Sequence, residues 1–226
     1  MKNFLFHNFL LFILSLCLIV AGFPSFAQDS VVLMNGIISK GKIFKVDDDG
    51  VLLQETKKGK TKDYWLEKAR VFSVIRENKE EVLYKHDTAF GNDRTEPEMR
   101  MFVYGQQDAW KGYKPWYVTG ISAALSGVGT WALVDDKENG ANFFFIVVPL
   151  ATYLVMVGLV RAGITKSSVR DQAYLLDEDY REGYRRISKN KKNTHAMYGS
   201  VSGFVLGLGF ALQQNSWKFP RGTPKQ

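Results

Sequence analysis

An uncharged apolar stretch between residues 143 and 160 constrains this chain more than any other feature. Its eighteen residues contain no Asp, Glu, Lys or Arg. A transmembrane helix needs about 20 such residues, and a buried helix of a soluble protein normally keeps one polar face. The stretch therefore predicts a membrane span. Pro149 lies inside it, where a lipid-embedded helix tolerates proline better than a soluble helix does.

A second apolar segment precedes this stretch. Residues 116–134 are also uncharged, although glycine, serine and threonine dilute them, and the short polar segment 135–142 separates the two. Residues 116–160 therefore predict a transmembrane helical hairpin. Trp116 and Trp131 lie near the ends of its first arm, which is where aromatic residues meet the membrane interface.

A third apolar stretch, residues 197–212, carries glycine at every fourth position. Gly199, Gly203 and Gly207 share one helix face, so a second backbone can approach them closely. The sequence leaves two partners open for this face, the hairpin of the same chain or a second copy of the protein. Residues 213–226 are predicted to form a polar tail.

The first 27 residues have the pattern of a secretory signal. Lys2 is followed by the apolar residues 9–20 and by Ser25-Phe-Ala27, a small-x-small cleavage pattern. An uncleaved anchor helix is the alternative. Either form predicts export of the residues that follow, and Cys17, the single cysteine, lies within this segment.

Residues 28–88 predict a small β-barrel-like module. Five or six short apolar runs are separated by turns such as Asn35-Gly36 and Asp47-Asp-Asp-Gly50, and Gly41 interrupts one run. The segments Val32–Gly36, Gly41–Ile43, Val46–Asp49 and Val51–Leu53 resemble the first half of the Sm-like barrel motif, a pattern that SH3-like barrels share. The RNA-binding residues of Sm proteins do not carry over, and export removes nucleic acid as a partner.

The whole layout resembles a group of uncharacterised envelope proteins of Bacteroidetes-type bacteria. The residues that carry this resemblance are Gly91–Thr95, Met99-Arg100, Tyr104-Gly105, Gln107–Ala109 and Lys111–Lys114. The group brings no known function with it. The fold class predicted for the chain is α+β, a small β module followed by amphipathic and transmembrane helices.

Two amphipathic helices flank the hairpin. Residues 95–114 begin with helix-start signals, Thr95 as N-cap and Pro97 in the first turn. Their apolar stripe predicts either packing on the β module or contact with a partner or a bilayer. Residues 167–192 predict a basic helix whose cations stabilise its C-terminus or contact lipid head groups. These cations are Arg181, Arg185, Arg186, Lys189, Lys191 and Lys192.

The charge distribution conflicts with the predicted export. The formal net charge is +7. If residues 1–27 are a cleaved signal and all three apolar segments cross the membrane, residues 161–192 lie outside the cytoplasm. That segment carries nine Lys or Arg, whereas cytoplasmic loops normally carry the excess of positive charge.

No pattern of catalytic, cofactor-binding or metal-binding residues is found in the sequence. His86 beside Asp87 fits a surface contact, and Asp47–Asp49 lacks the alternating ligand spacing of a calcium loop. The leading hypothesis is a non-enzymatic envelope membrane protein whose β module, on the periplasmic side, acts as an interaction or scaffolding element. The alternative is a small oligomeric pore or transport accessory. The expected partners are the lipid bilayer and either a second copy or another envelope protein.

Overall fold

The computed structural model describes residues 28–57, 59–134 and 143–217, which divide into two compact units. Strands form the first unit, up to Val32 and from Ile38 to Leu83. The second unit contains Leu33–Ile37 and the chain from Tyr84 onwards. The predicted signal 1–27, the segment 135–142 and residues 218–226 of the predicted tail lie outside the described residues. The α+β class is confirmed.

The strands pair into two antiparallel sheets. One sheet has the order β2-β1-β6-β7 and the other has the order β3-β4-β5. In the first unit, Val31, Val51, Leu53, Val71 and Phe72 are buried and form much of its core. The strands are β1 (Ser30–Leu33), β2 (Ile38–Lys40), β3 (Lys42–Val46), β4 (Gly50–Lys57), β5 (Lys60–Glu67), β6 (Val71–Arg76) and β7 (Lys79–Val82).

Gly41 lies where the chain passes from one sheet to the other. It separates β2 from β3, and its amide donates to the carbonyl oxygen of Asp29 at 3.0 Å. A Cβ at this position would collide with the Gln54 carbonyl and lie 2.9 Å from its carbon atom. Glycine is therefore required here by a close approach of two backbones.

The second unit is helical. Its helices are α1 (Glu96–Gly112), α2 (Trp116–Val134), α3 (Val148–Leu159) and α4 (Glu178–Trp217). Short 3-10 segments at Thr88–Phe90, Phe143–Val147, Lys166–Ser168 and Gln172–Leu176 complete it. The predicted start of α1 is confirmed, with Pro97 in the first turn and Thr95 donating its amide to Glu98 Oε2 at 2.7 Å. That hydrogen bond lowers the pKa of Glu98.

The second arm of the hairpin is less regular than its composition predicts. Residues 143–147 form a 3-10 helix, and only Val148–Leu159 are α-helical, with Pro149 in the first turn. Proline has no amide hydrogen and clashes with the preceding turn, so an α-helix accepts it most easily at its start. The α-helical part is about 18 Å long, and the 3-10 turns bring the arm to about 28 Å.

The two predicted helices 167–192 and 197–212 form one helix. α4 runs unbroken from Glu178 to Trp217, because residues 193–196 include no glycine or proline. It starts later than predicted, where Asp177 Oδ1 accepts the amide of Tyr180 at 2.9 Å. It also extends through residues 213–217, which the sequence assigned to the tail.

Candidate functional site

The glycine face of α4 packs against α2 of the same chain. A Cβ at Gly199 would lie 2.7 Å from Ser122 Cβ, and one at Gly203 would lie 2.7 Å from Ala123 Cα. One at Gly207 would lie 2.9 Å from the Gly127 carbonyl carbon. The three predicted packing residues therefore contact α2 of the same chain, and their helix face is not open.

Small polar side chains fill the inside of the apolar helices. Ser122, Ser126 and Thr130 recur every fourth residue along α2 and are fully buried. Their hydroxyls have no hydrogen-bond partner among the described residues. Thr152 of α3 and Ser200 of α4 are also buried.

Large apolar side chains cover the outside of the same helices. Val128 of α2 is 63% exposed, Leu154 of α3 is 59% exposed and Phe210 of α4 is 64% exposed. Several others on each helix are similarly exposed, among them Leu125, Leu150, Leu159, Val201, Val205 and Leu206. A water-soluble bundle normally has the opposite arrangement, with its large apolar residues inside.

Helices α2 and α4 are long and apolar enough to cross a membrane. The residues 144–159 form a shorter apolar helical segment. Each helix contains an apolar stretch of 18 residues, of which only 22% in α2 and 33% in α4 are buried. Neither is therefore the enclosed core helix of a soluble domain. Residues 116–134, the arm diluted by glycine, serine and threonine, form a longer apolar helix than residues 143–160, which composition alone does not indicate.

A second close helix contact joins α1 to the first half of α4. A Cβ at Gly105 would lie 2.9 Å from the Tyr184 amide nitrogen, and one at Gly183 would lie 2.9 Å from the Phe102 carbonyl carbon. Much of the predicted apolar stripe of α1 is buried, including Met99, Phe102 and Gln106. The sequence did not indicate α4 as a neighbour of this stripe, since the two glycines lie far apart in the chain.

A buried carboxylate fixes the connection that leads into α4. Asp108 of α1 is 5% exposed and accepts from Arg170 through the backbone amide and Nε, each at 3.0 Å. The Tyr180 hydroxyl donates to Asp108 Oδ2 at 2.6 Å. The Arg170 guanidinium also lies 4.3 Å from the ring centre of Tyr104. These contacts serve structure, because they satisfy the carboxylate completely.

A cavity of about 280 Å³ lies beside α1 in the second unit. Tyr84, Arg94, Phe102 and Gln106 are among its lining residues. Arg94 is ion-paired with Asp179 and Glu182, at 2.8 Å each, and its carbonyl oxygen accepts the Tyr84 hydroxyl at 2.7 Å. Burial raises the pKa of Tyr84. The charge of Arg94 in this cavity is therefore already neutralised.

The six predicted head-group cations separate into two groups. Arg185, Arg186 and Lys189 are exposed, and Arg181 is half-buried. Lys192 is 4% exposed and donates through Nζ to the Val157 and Val160 carbonyl oxygens, at 2.8 and 2.7 Å. Lys191 Nζ donates to the Ala109 and Trp110 carbonyl oxygens at 3.3 and 2.9 Å.

Lys191 and Lys192 therefore cap the ends of other helices. These carbonyls lie in the last turn of α1, in the last turn of α3 and at Val160 just after α3, where a helix runs out of amide donors. The Ala109 carbonyl also accepts the Tyr113 amide at 3.1 Å. The sequence predicted that these cations stabilise a helix C-terminus, but it assigned that end to their own helix. α4 continues past them, so the ends that they stabilise are those of its neighbours.

Four further polar residues make ordinary structural contacts. His86 Nδ1 lies 2.9 Å from the Arg94 carbonyl oxygen, and Asp47 and Asp48 pair with Lys45 and Lys68. His195 Nδ1 lies 2.7 Å from Thr119 Oγ1. Among the described residues, no three His, Cys, Asp or Glu side chains form a group able to hold a metal ion.

Comparisons of the chain with protein-family models, curated proteins and solved structures find no match. The resemblances to Sm-like barrels and to Bacteroidetes-type envelope proteins stay predictions.

Proposed function

We propose that this protein is a non-enzymatic membrane protein of the bacterial cell envelope, in which helices tether a β module that serves as an interaction or scaffolding element. One observation carries the proposal, the inverted polarity of α2, α3 and α4. Serine, threonine and glycine fill their contacts, and large aliphatic and aromatic side chains face outwards. Lipid is the environment in which small residues hold helices together and apolar residues face the solvent.

Water is a poor solvent for this surface. Leaving one leucine- or phenylalanine-sized side chain exposed forgoes about 1.5–3 kcal/mol, and many such side chains are exposed on these helices. A patch of this extent on a soluble protein marks a binding site or an aggregation hazard. A bilayer covers all of these faces at once.

A lysine placed on the outer face tests the proposal. Val205 is 60% exposed on α4, and lysine there should lower membrane insertion, because a lysine at the centre of a span costs about 2.5–3.5 kcal/mol. Ile38, 46% exposed on β2, provides the matched control Ile38→Lys. The full chain should resist alkaline extraction from membranes, Val205→Lys should be extracted more easily, and Ile38→Lys should behave as the unsubstituted chain. Full extraction of the unsubstituted chain would refute the proposal.

Several finer features belong to the same proposal. Three of them are supported by the sequence patterns alone. The β module closes into an Sm-like or SH3-like barrel, it lies on the periplasmic side, and it binds an envelope protein or a second copy. A small oligomeric pore was the alternative function. Its main support was the glycine face of α4, and that face is occupied by α2 within one chain.

A further inference from the structure

One end of the apolar helices is marked by three contacts. His195 of α4 contacts Thr119 and lies edge-on to Trp116, with ring centres 5.4 Å apart. Lys192 binds the carbonyl at Val160, just after α3. The start of α2, the end of α3 and the polar-to-apolar transition of α4 therefore lie at one level, which we call the basal end.

Exposed cations gather at the basal end. Lys114 lies two residues before α2, Arg161 lies two residues after the end of α3, and Lys189 lies within two turns of His195. All three side chains are exposed, and no described carboxylate pairs with them. Burial and the nearby charge of Lys114 lower the pKa of Lys191. We call Lys114, Arg161 and Lys189 the basal cations.

Acidic residues are missing from the sequence around this end. No Asp or Glu occurs in residues 109–134, in residues 139–170 or after Glu182. The positive charge of the basal end is therefore not balanced by its own segments. Trp116 and Tyr117, 69% and 53% exposed, lie beside Lys114 at the level where aromatic residues meet lipid head groups.

We propose that the basal cations bind the phosphate groups of anionic phospholipids in the leaflet that the basal end meets. The inference rests on the proposed membrane embedding and adds a selective lipid contact to it. Lysine and arginine near a membrane surface attract anionic lipids, and their long side chains reach the head groups while their stems follow apolar surface. Lys191 and Lys192 are excluded from the contact, since their ammonium groups are held by backbone carbonyls.

Spin-labelled lipids test the contact. The full chain is reconstituted in phosphatidylcholine vesicles, and the lipid held at the protein surface is measured by electron paramagnetic resonance with spin-labelled phosphatidylglycerol or phosphatidylcholine. The protein should prefer phosphatidylglycerol over phosphatidylcholine by about five-fold or more at low salt, as expected for one surface cation. The preference should fall towards unity in about 0.5 M salt, because salt screens exposed charges.

A matched pair of triple variants locates the effect. Lys114→Gln/Arg161→Gln/Lys189→Gln should remove most of the preference for phosphatidylglycerol. Lys42→Gln/Lys60→Gln/Lys62→Gln removes the same charge from exposed positions of the β module and should leave the preference unchanged. Circular dichroism of both variants checks that the helices are intact.

Each contrary result has its own meaning. Lipid held without preference by the unsubstituted chain would overturn the lipid contact and leave the membrane embedding standing. A preference that survives the basal triple variant, or that the β-module variant also abolishes, would overturn the assignment to these three residues. An absence of any held lipid would overturn the embedding and the contact together.

Discussion

Gly203 offers the most direct measure of how tightly α2 and α4 pack. An added methyl group would lie 2.7 Å from Ala123 Cα and 2.8 Å from its carbonyl carbon. Ordinary carbon contacts are about 3.5–4.0 Å long, so the two helices must separate by about 1 Å to accept it. The obstacle is backbone, which cannot move aside as a flexible side chain can.

The expected cost follows from this geometry. Overpacking a close contact destabilises by about 1–3 kcal/mol, and the separated helices also lose dispersion contacts along their length. Replacing glycine by alanine also stabilises the helix by up to about 1 kcal/mol, because alanine has the higher helix propensity. Gly209, on the same helix, has nothing within 4 Å of an added Cβ, so Gly209→Ala carries the propensity effect without the clash.

The difference between the two variants therefore isolates the packing. Gly203→Ala should be less stable than Gly209→Ala by about 1–3 kcal/mol. The free energy of unfolding is measured in mixed detergent micelles by circular dichroism as the fraction of sodium dodecyl sulphate increases. Equal stability of the two variants would show that α4 does not pack on α2 through this glycine.

Three further predictions concern other parts of the chain. Gly41→Val should destabilise the β module, seen as faster amide exchange in β2 and β3, because its side chain meets the Gln54 backbone, whereas Thr61→Val on exposed β5 should leave exchange unchanged. Asp108→Asn should cost about 1–3 kcal/mol in thermal unfolding, because it leaves a partly exposed Arg170 without its carboxylate. If α2, α3 and α4 all cross the membrane, a cysteine at exposed Ser167 and a tag after Gln226 should be accessible from opposite sides; access from one side would refute three crossings.

Local signals in the sequence were sufficient for some of the fold. Thr95, Pro97 and Glu98 define the start of α1 within four residues, and the bounds of α2 follow from Pro115 and the charges at 135. The turn at Asn35-Gly36 is equally local, with Gly36 at a φ of +77°. Such features depend on neighbours in the chain, so composition and spacing are enough to identify them.

Contacts between residues that are distant in the chain could not be predicted from such local signals. The glycine repeat of α4 indicated a close helix contact but not its partner, and nothing in the sequence links Gly105 with Gly183. Asp108 and Arg170 are separated by 62 positions, and no sequence pattern joins them. The start of α3 beside Pro149 was not predicted, for a different reason. A lipid-embedded helix tolerates proline, but this gives no information on whether the helix continues through the proline or begins there.

The role of Lys192 also depends on residues that are distant in the chain. Its position in a basic run indicated lipid contact, yet its Nζ bridges the Val157 and Val160 carbonyl oxygens at the end of α3. Methionine has a similar length without the ammonium group, so Lys192→Met leaves both carbonyls without this donor. The expected loss is about 1–3 kcal/mol, the cost of an unsatisfied buried polar group. Lys189→Met, an exposed neighbour that loses the same charge, should change stability by less than about 0.5 kcal/mol. Unfolding in mixed micelles measures both. Equal effects of the two substitutions would mean that Lys192 acts through its charge alone, and that α3 is held without this cap.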